Sequence, residues 1–244
     1  MAEVGYYPKI PGLSAMDNVF IGIGELPYMH LTLQGRLMAE TGSNFSCDNE
    51  EAFDRIAYAL KTTGYIILAD CLPLALCEAL NVQSILGVDE LKRAGVGRGQ
   101  GYLLDGLIRT DGIRWLRPDS PAEIAFLAWM EQLRLGLNRR LFLGLFDYES
   151  HFAVYDAGAF YRKHLDAFQG VPNRVLSTVF YLNQYWMPDD CGELLIYSPH
   201  DDTLMETVPP DLATMVIFLS AVFPHEVAVT HRKRYSIAGW FRGR

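Results

Sequence analysis

Two histidines, an aspartate and an arginine in the C-terminal half of the chain have the side-chain types and the spacing of a metal site with an anion site beside it. His164 and Asp166 are two residues apart, His225 follows much later, and Arg234 comes nine residues after that. Residues i and i+2 of a β-strand point to the same side, so His164 and Asp166 can face one interior if a strand carries them. A histidine from a distant strand would then add a third ligand. Two imidazoles and one carboxylate on one face of an octahedral ion leave its other positions open, as in non-haem Fe(II) sites.

The His-x-Asp triplet alone is a weak signal, because the same spacing occurs in proteins that bind no metal. The alternative is an ordinary hydrogen-bonded histidine on the surface or in the core. Three apolar strand patterns follow the triplet, at 179–183, 192–197 and 215–218, and His225 and Arg234 come after them. This order of segments favours the metal site, because it brings distant polar residues into one run of strands.

The composition indicates a globular enzyme-sized protein. The chain has 244 residues, half of them hydrophobic, which suits one domain or one domain with an appendage. Its net charge of −8 argues against nucleic acid as the main partner, because affinity for phosphate backbones rests on clustered Lys and Arg. No apolar run approaches the length that spans a bilayer, so we expect no membrane partner. For the oligomeric state we favour a monomer.

The cysteines indicate a reducing compartment. Cys47, Cys71, Cys77 and Cys191 show neither the spacing of a zinc site nor a dense disulfide pattern. The first residues lack a basic stretch followed by a long apolar core, so we expect no secretory signal. A cytoplasmic location follows as the expectation, and it would help an enzyme to keep iron in the ferrous state.

Hydrophobic periodicity divides the chain into a helical part and a strand-rich part. We predict an N-terminal extension of unknown role over residues 1–47 and a single domain over 48–244. Its helical support would cover 48–145, and its strand-rich core would be completed by 146–244.

Helix signals begin near Asp48, at Pro73 and at Pro121. The longest helical pattern covers 121–145, with an expected core stripe that includes Ile124 and Leu135. The glycine-rich run at 95–101 lacks the strand-then-helix context and the Gly-Lys-Ser/Thr ending of a phosphate-binding loop, so we expect a loop near the substrate instead.

Short alternating segments fill the last hundred residues. Turn-forming residues separate about eight of them: 152–155, 160–164, 175–183, 193–197, 203–208, 215–219, 226–229 and 235–241. Strands of this number and evenness predict an antiparallel double-sheet jelly roll. The fold class expected for the whole chain is α+β, with N-terminal helices that cover one face of a sheet.

These residues together resemble the Fe(II)- and 2-oxoglutarate-dependent dioxygenase superfamily. The resemblance is to its prolyl 4-hydroxylase-like branch, which includes the animal oxygen-sensing prolyl hydroxylases and their bacterial relatives. It runs from about residue 95 to 241. The residues that carry it are Tyr155 ahead of His164-Leu165-Asp166, Tyr181-Leu182-Asn183 with Trp186, His225-Glu226-Val227, Arg234-Tyr235-Ser236-Ile237 with Trp240, and Ile108-Arg109-Thr110-Asp111 with Trp115.

The resemblance implies a distorted double-stranded β-helix in which His164, Asp166 and His225 bind Fe(II). It also implies that Arg234 and the Tyr181 hydroxyl hold the distal carboxylate of 2-oxoglutarate. A planar guanidinium matches a carboxylate with two parallel hydrogen bonds, which agrees with that role for Arg234. The ketone and C1 carboxylate of 2-oxoglutarate would chelate the iron, leaving a position for O2.

The remaining pocket residues follow from the same resemblance. Tyr155 and Trp240 would line the cofactor pocket, and Arg174, Arg109 and Asp111 would lie near the substrate. Each substrate residue has an alternative: Arg174 could be a solvated loop charge, and Arg109 with Asp111 a structural ion pair.

Three departures from the family pattern concern the substrate. The segment from Tyr155 to His164 is one residue shorter than in the animal members, and Cys191-Gly192 stands where a Gly-Gly pair is common. The glycine-rich loop at 95–106 lacks the charged residues that are typical of the oxygen-sensing enzymes. The resemblance also makes ascorbate a candidate cofactor.

The implied activity is hydroxylation of a C–H bond with succinate and CO2 as co-products. The expected substrate is a prolyl residue of a protein or peptide, hydroxylated at C4, with a translation factor such as elongation factor Tu as the candidate. Two alternatives stay open: an oxygenase that acts on a free amino acid or small metabolite, and a jelly roll that binds metal as a sensor without turnover. Arg234 and Tyr181 disfavour the sensor, because it would not need a buried carboxylate clamp.

Overall fold

The computed structural model describes residues 46–95, 106–167 and 173–244. The expected N-terminal extension, residues 1–47, lies outside the described residues except for its last two positions. The glycine-rich segment at 95–106 lies outside them except for its two ends.

The described residues form three α-helices, eleven β-strands and two 3₁₀ helices of three residues each, Val88–Glu90 and Pro188–Asp190. The helices are α1 (Ser46–Thr62), α2 (Leu74–Leu86) and α3 (Pro121–Leu141). The strands are β1 (Tyr65–Leu68), β2 (Lys92–Arg93), β3 (Gly112–Trp115), β4 (Leu145–Tyr155), β5 (Tyr161–His164), β6 (Arg174–Tyr181), β7 (Leu194–Tyr197), β8 (Leu204–Val208), β9 (Met215–Leu219), β10 (His225–Val227) and β11 (Arg234–Gly243). Within the described residues, no helix is both long and apolar enough to cross a membrane.

Helix α3 begins where the sequence predicts it, but it buries a different face. Ser120 caps it by accepting a hydrogen bond from the Glu123 backbone N–H at 3.2 Å. The predicted core positions Ile124 and Leu135 are 51% and 44% exposed, so that part of the prediction is wrong. The buried face carries Ala122, Phe126, Trp129, Met130, Leu133, Gly136 and Leu137. Apolar residues occur all round this helix, so its packing partners, α1 and β4, decide which of them become core.

The strands form two antiparallel sheets. The larger has the order β1-β9-β6-β11-β4-β3-β2, and the smaller has the order β5-β10-β7-β8. β4 and β11 pair over ten residues at the centre of the larger sheet, from Arg234 opposite Tyr155 to Gly243 opposite Leu145. Two sheets of this kind with helices at the N-terminal side confirm the predicted α+β jelly roll with supporting helices.

The main hydrophobic core joins the helices to the larger sheet and continues to the smaller one. Phe126 of α3 packs on Phe180 of β6 with ring centroids 5.7 Å apart. Leu194 and Ile196 of β7 bury their side chains in the same cluster. The sheets are therefore held at a fixed spacing, which leaves a cavity between them at the end where polar residues face inward.

Candidate active site

The three candidate metal ligands come together at one edge of the smaller sheet. His164 is the last residue of β5 and lies directly opposite His225, the first residue of β10. Asp166 lies two residues past the end of β5. The two imidazoles and the carboxylate each offer a ligand atom, and these atoms all lie within 4.8 Å of one another. β5 ends at His164, as the predicted segment 160–164 does, and the bend after it brings Asp166 back to the same point.

Hydrogen bonds orient each of these side chains for metal binding. The Nδ1 atoms of His164 and His225 lie 2.8 and 3.0 Å from the carbonyl oxygens of Arg162 and Phe223. A carbonyl only accepts, so Nδ1 carries the proton in both rings and Nε2 keeps its lone pair free. Both Nε2 atoms point at Asp166, at 3.6 Å from its carboxylate oxygens. This arrangement fits a divalent metal ion, because metal-binding histidines usually donate a hydrogen bond from their other ring nitrogen.

Asp166 has supporting partners of its own. The Ser177 hydroxyl donates to Oδ2 of Asp166 at 2.6 Å, and it also lies 2.9 Å from the Ser220 hydroxyl. Burial by itself would raise the pKa of Asp166. The neighbouring His225 and His164 and the Ser177 hydroxyl outweigh burial and hold that pKa well below its usual range. The carboxylate is therefore ionised, as metal binding requires.

The electrostatics of His225 agree with this assignment. Burial, followed by the nearby His164, lowers the pKa of His225 to about 4. The imidazole is thus neutral near pH 7, which is the form that binds metal ions.

Arg234 lies at the inner end of the cavity as a buried cation. Its side chain is among the largest that are fully buried, at 1% exposure. Nε donates to the Gly192 carbonyl at 2.9 Å and Nη1 to the Ser236 hydroxyl at 3.2 Å, so neither bond reaches a carboxylate. Nη2 of Arg234 and the hydroxyl of Tyr181 have no hydrogen-bond partner among the described residues. A charged donor and a neutral donor left open side by side fit an incoming carboxylate.

The surroundings of Arg234 add two aromatic rings. Its guanidinium carbon lies 5.0 Å from the ring centroids of both Tyr155 and Tyr181. Burial raises the pKa of Tyr181 to about 12, so its hydroxyl keeps its proton. Gly192 has φ +77°, and a Cβ there would come within 2.8 Å of Thr230 Cβ. The Gly192 carbonyl can reach Arg234 because that turn has no side chain.

One cavity of about 620 Å³ contains the metal cluster and the inner arginine. Arg234 pairs with Tyr155 at one end of the β4–β11 ladder, and Trp240 pairs with Glu149 six residues further along, roughly 20 Å away at the usual rise of a strand. On β6, Ser177 lies opposite Trp240. Because Ser177 holds Asp166, the metal cluster lies toward the Trp240 end, and the anion site lies deeper.

The other predicted site residues differ in whether they line the cavity. Tyr155 and Trp240 line the cavity, whereas Tyr181 is not one of its lining residues and lies beside Arg234, which is. Arg174 also lines it, with its guanidinium 3.5 Å above the Trp240 ring and an ion pair to Glu149 at 3.3 Å. Arg174 is thus part of the wall rather than a freely solvated loop charge.

Arg109 and Asp111 form a buried ion pair with two parallel hydrogen bonds of 2.8 and 2.6 Å. Arg109 lines the cavity and lies over the Tyr161 ring at 4.3 Å, while Asp111 does not reach the cavity. Tyr161 in turn stacks on His164 at 3.7 Å. The pair therefore supports a metal ligand through one aromatic ring.

Sequence reasoning missed four residues of this site. Ser177 supports Asp166, Gly192 holds Arg234, and Glu149 and His151 line the cavity. The alternation 149, 151, 153, 155 along β4 could have placed Glu149 and His151 on the face of Tyr155. Ser177 had no local signal, because only the approach of β6 to the bend after β5 brings it to Asp166.

Comparison with known proteins agrees with this geometry. Residues 150–242 match the 2OG-Fe(II) oxygenase superfamily. A prolyl 4-hydroxylase from Pseudomonas putida is 39% identical, with 79% of this chain and 99% of that chain covered and a TM-score of 0.71.

Two more distant structures share the fold. A prolyl hydroxylase from Trichoplax adhaerens, in complex with a hypoxia inducible factor peptide, is 24% identical over 80% of this chain and 90% of that chain, with a TM-score of 0.70. A viral collagen prolyl hydroxylase from Paramecium bursaria Chlorella virus 1, in complex with 2OG, is 16% identical over 74% and 97%, with a TM-score of 0.51.

The match to the Pseudomonas enzyme extends over nearly its whole length, and residues 150–242, which match the superfamily, contain the three clustered ligands and the buried arginine. The resemblance predicted from the sequence is thereby confirmed. The chain belongs to the 2OG-Fe(II) oxygenase superfamily, in its prolyl 4-hydroxylase-like branch.

Proposed function

We propose that this protein is a peptidyl-prolyl 4-hydroxylase that uses Fe(II), 2-oxoglutarate and O2. The observation that carries the proposal is the pairing, in one cavity, of the His164, Asp166 and His225 cluster with the unpartnered, buried Nη2 of Arg234. A metal-binding sensor would have no use for a buried cation held open in this way, because leaving it without a counter-charge costs stability.

Each group of residues has a role in this proposal. The three clustered side chains hold Fe(II), and Arg234 with the Tyr181 hydroxyl binds the distal carboxylate of 2-oxoglutarate. The bound iron, with 2-oxoglutarate and O2, supplies the oxidation of a C–H bond and yields succinate and CO2 as co-products. The rest of the cavity wall, with Trp240 and Arg174 on one side, keeps water out and orients the substrate.

A prolyl residue of a peptide or protein is the proposed substrate. Its support is the 39% identity to the Pseudomonas prolyl 4-hydroxylase across 99% of that chain. The Trichoplax enzyme was captured with a peptide in place, which is consistent with a peptide substrate for this branch. Elongation factor Tu is the candidate protein, and a free amino acid is the alternative substrate.

The test is turnover by the full chain with Fe(II), 2-oxoglutarate and O2 on three kinds of substrate. These are intact elongation factor Tu, a panel of peptides covering each of its prolines, and free proline. Mass spectrometry would detect the added oxygen, and NMR would place it on C4. We expect hydroxylation of a peptide or of the protein, and hydroxylation of free proline alone would refute the peptidyl assignment.

A pair of histidine variants separates the metal site from general effects. His164→Ala removes one candidate ligand, whereas His200→Ala removes an exposed histidine of the β7–β8 loop. We expect His164→Ala to lose both iron binding and succinate formation, and His200→Ala to keep both. Normal iron binding by His164→Ala would contradict the ligand assignment.

A further inference from the structure

His151 has no part in the metal cluster or the anion site, yet its imidazole lines the same cavity. It lies on β4 opposite Ala238, two residues before Trp240 on β11. Its ring makes an edge contact with Trp115 at 5.3 Å and a tilted contact with Trp240 at 5.5 Å. Trp115 is 45% exposed and Trp240 only 8%, so His151 lies between one ring at the surface of the protein and one that is buried.

Its hydrogen bonding determines which nitrogen faces a ligand. Nδ1 of His151 lies 3.2 Å from the Phe152 carbonyl oxygen, which can only accept, so Nδ1 carries the proton. Burial, with the positive charges of Arg109 and Arg174 nearby, lowers the pKa of His151 to about 4. The ring is therefore neutral, and Nε2 is a hydrogen-bond acceptor.

No described residue uses that acceptor. Nε2 of His151 makes no hydrogen bond within the described part of the chain, and the ring lines the cavity. The neighbouring acceptor on this wall, Glu149, is already paired with Arg174 and Arg242. His151 thus presents a free acceptor to the cavity, held rigidly between two indole rings.

The co-substrate cannot satisfy this acceptor. At neutral pH 2-oxoglutarate carries two carboxylates and a ketone, all of which only accept hydrogen bonds. The donor must come from the other molecule that enters the cavity. A peptide carries such a donor at every residue except proline, namely its backbone N–H.

We infer that His151 is a specificity-determining residue whose Nε2 accepts a hydrogen bond from a backbone N–H of the peptide close to the target proline. This inference rests on the proposed function and adds to it the requirement for an N–H at one defined position. An ester-linked analogue would lack that donor, and free proline has only its own ammonium N–H and no amide N–H from a neighbouring residue, so both would be held less well.

The experiment compares wild type, His151→Met and His151→Gln on the peptide that wild type hydroxylates best. The same peptide is also made with a methyl group on one backbone nitrogen at a time. Methionine fills a similar volume without a strong acceptor, whereas the glutamine amide oxygen can replace Nε2. Kinetics are measured for peptide and for 2-oxoglutarate separately, together with the ratio of succinate to hydroxylated product.

We expect His151→Met to raise the KM for peptide about 5- to 10-fold, the size of one lost hydrogen bond, with little change in kcat or in the KM for 2-oxoglutarate. Succinate should exceed hydroxylated product in this variant, and His151→Gln should recover most of the loss. Methylation of one particular peptide amide should raise the KM of wild type for peptide by the same factor and leave the KM of His151→Met unchanged. A purely structural role of His151 would not produce this difference.

Three outcomes overturn the inference. If methylation raises the KM for peptide equally in wild type and in His151→Met at every position, no peptide amide bonds to His151. The inference then fails, and the proposed function stands. A larger change in the KM for 2-oxoglutarate than for peptide would instead place His151 beside the co-substrate. If wild type hydroxylates no proline peptide or protein, the proposed function and this inference both fail.

Discussion

Replacing Arg234 by methionine should separate folding from co-substrate binding. In the protein without 2-oxoglutarate, Arg234 is a buried cation whose two hydrogen bonds go to neutral acceptors, the Gly192 carbonyl and the Ser236 hydroxyl. Removing the charge relieves a desolvation cost, while leaving those two acceptors unpaired costs about 1–3 kcal/mol each. The two effects oppose each other, so we expect the free energy of unfolding to change by only about 2 kcal/mol or less.

The effect on binding should be much larger, because nothing compensates for the loss. A carboxylate at Nη2 of Arg234 would gain charge-assisted hydrogen bonds, each of about 1.5–3 kcal/mol, in a site that excludes water. Two such bonds correspond to about 3–6 kcal/mol. The Kd for 2-oxoglutarate should therefore rise on the order of 10²- to 10⁴-fold.

Anaerobic calorimetry with Mn(II) in place of Fe(II) would measure this Kd without turnover. At 100 times its Kd, 2-oxoglutarate should stabilise wild type by about 2.7 kcal/mol and stabilise Arg234→Met hardly at all at the same concentration. Mn(II) affinity itself should be unchanged. Arg162→Met is the matched control, because Arg162 is an exposed arginine whose side chain lies over Phe160. A Kd for Arg234→Met within threefold of wild type would refute the carboxylate assignment.

Three further substitutions test the surroundings of the site. Ser177→Ala should weaken iron binding about 10- to 100-fold in a metal titration, because Asp166 loses the hydroxyl that orients it. Cys191→Gly should raise the free energy of unfolding by about 1 kcal/mol in urea, because φ 53° and ψ −149° strain any residue with a Cβ. His151→Met should reduce the loss of unfolding free energy that wild type shows in acid. The pKa of His151 is about 4 in the folded protein and about 6.5 in the unfolded chain, so the unfolded chain binds the proton more readily. The free energy of unfolding of wild type therefore falls as the pH falls from about 6.5 to about 4, by up to about 1.4 kcal/mol per pH unit.

Each of these predictions has a clear contrary result. Iron affinity equal to wild type in Ser177→Ala would mean that the Ser220 hydroxyl or the metal itself orients Asp166. A loss of stability in Cys191→Gly would show that the side chain contributes more than the strain costs, and Gly192→Ala, also at positive φ, should be destabilising in the same assay. Parallel stability curves for wild type and His151→Met from pH 7 to pH 4 would contradict the neutral, buried imidazole.

Much of the architecture was readable from local patterns. The starts of α2 and α3 followed from Pro73 and from the Ser120-Pro121 pair, and the strands from β5 onward lie close to the alternating segments that predicted them. β4 is an exception, because it begins at Leu145, seven residues before the predicted segment 152–155. The face that α3 buries was not readable, because Ile124 and Leu135 are as apolar as the residues that became core. Local periodicity identifies a helix, but its partners decide its orientation when apolar residues surround it.

The chemistry of the site shows the same division. Residue types and their order along the chain were enough to identify two imidazoles, one carboxylate and a guanidinium as candidates, since only a few side chains can bind iron or pair with a carboxylate. The pairing of His225 with His164, the bend that returns Asp166 to them and the burial of Arg234 without a counter-charge are products of tertiary structure. So are the support of Asp166 by Ser177 and the free acceptor of His151, because strand register joins residues far apart in the chain and no local pattern encodes that register.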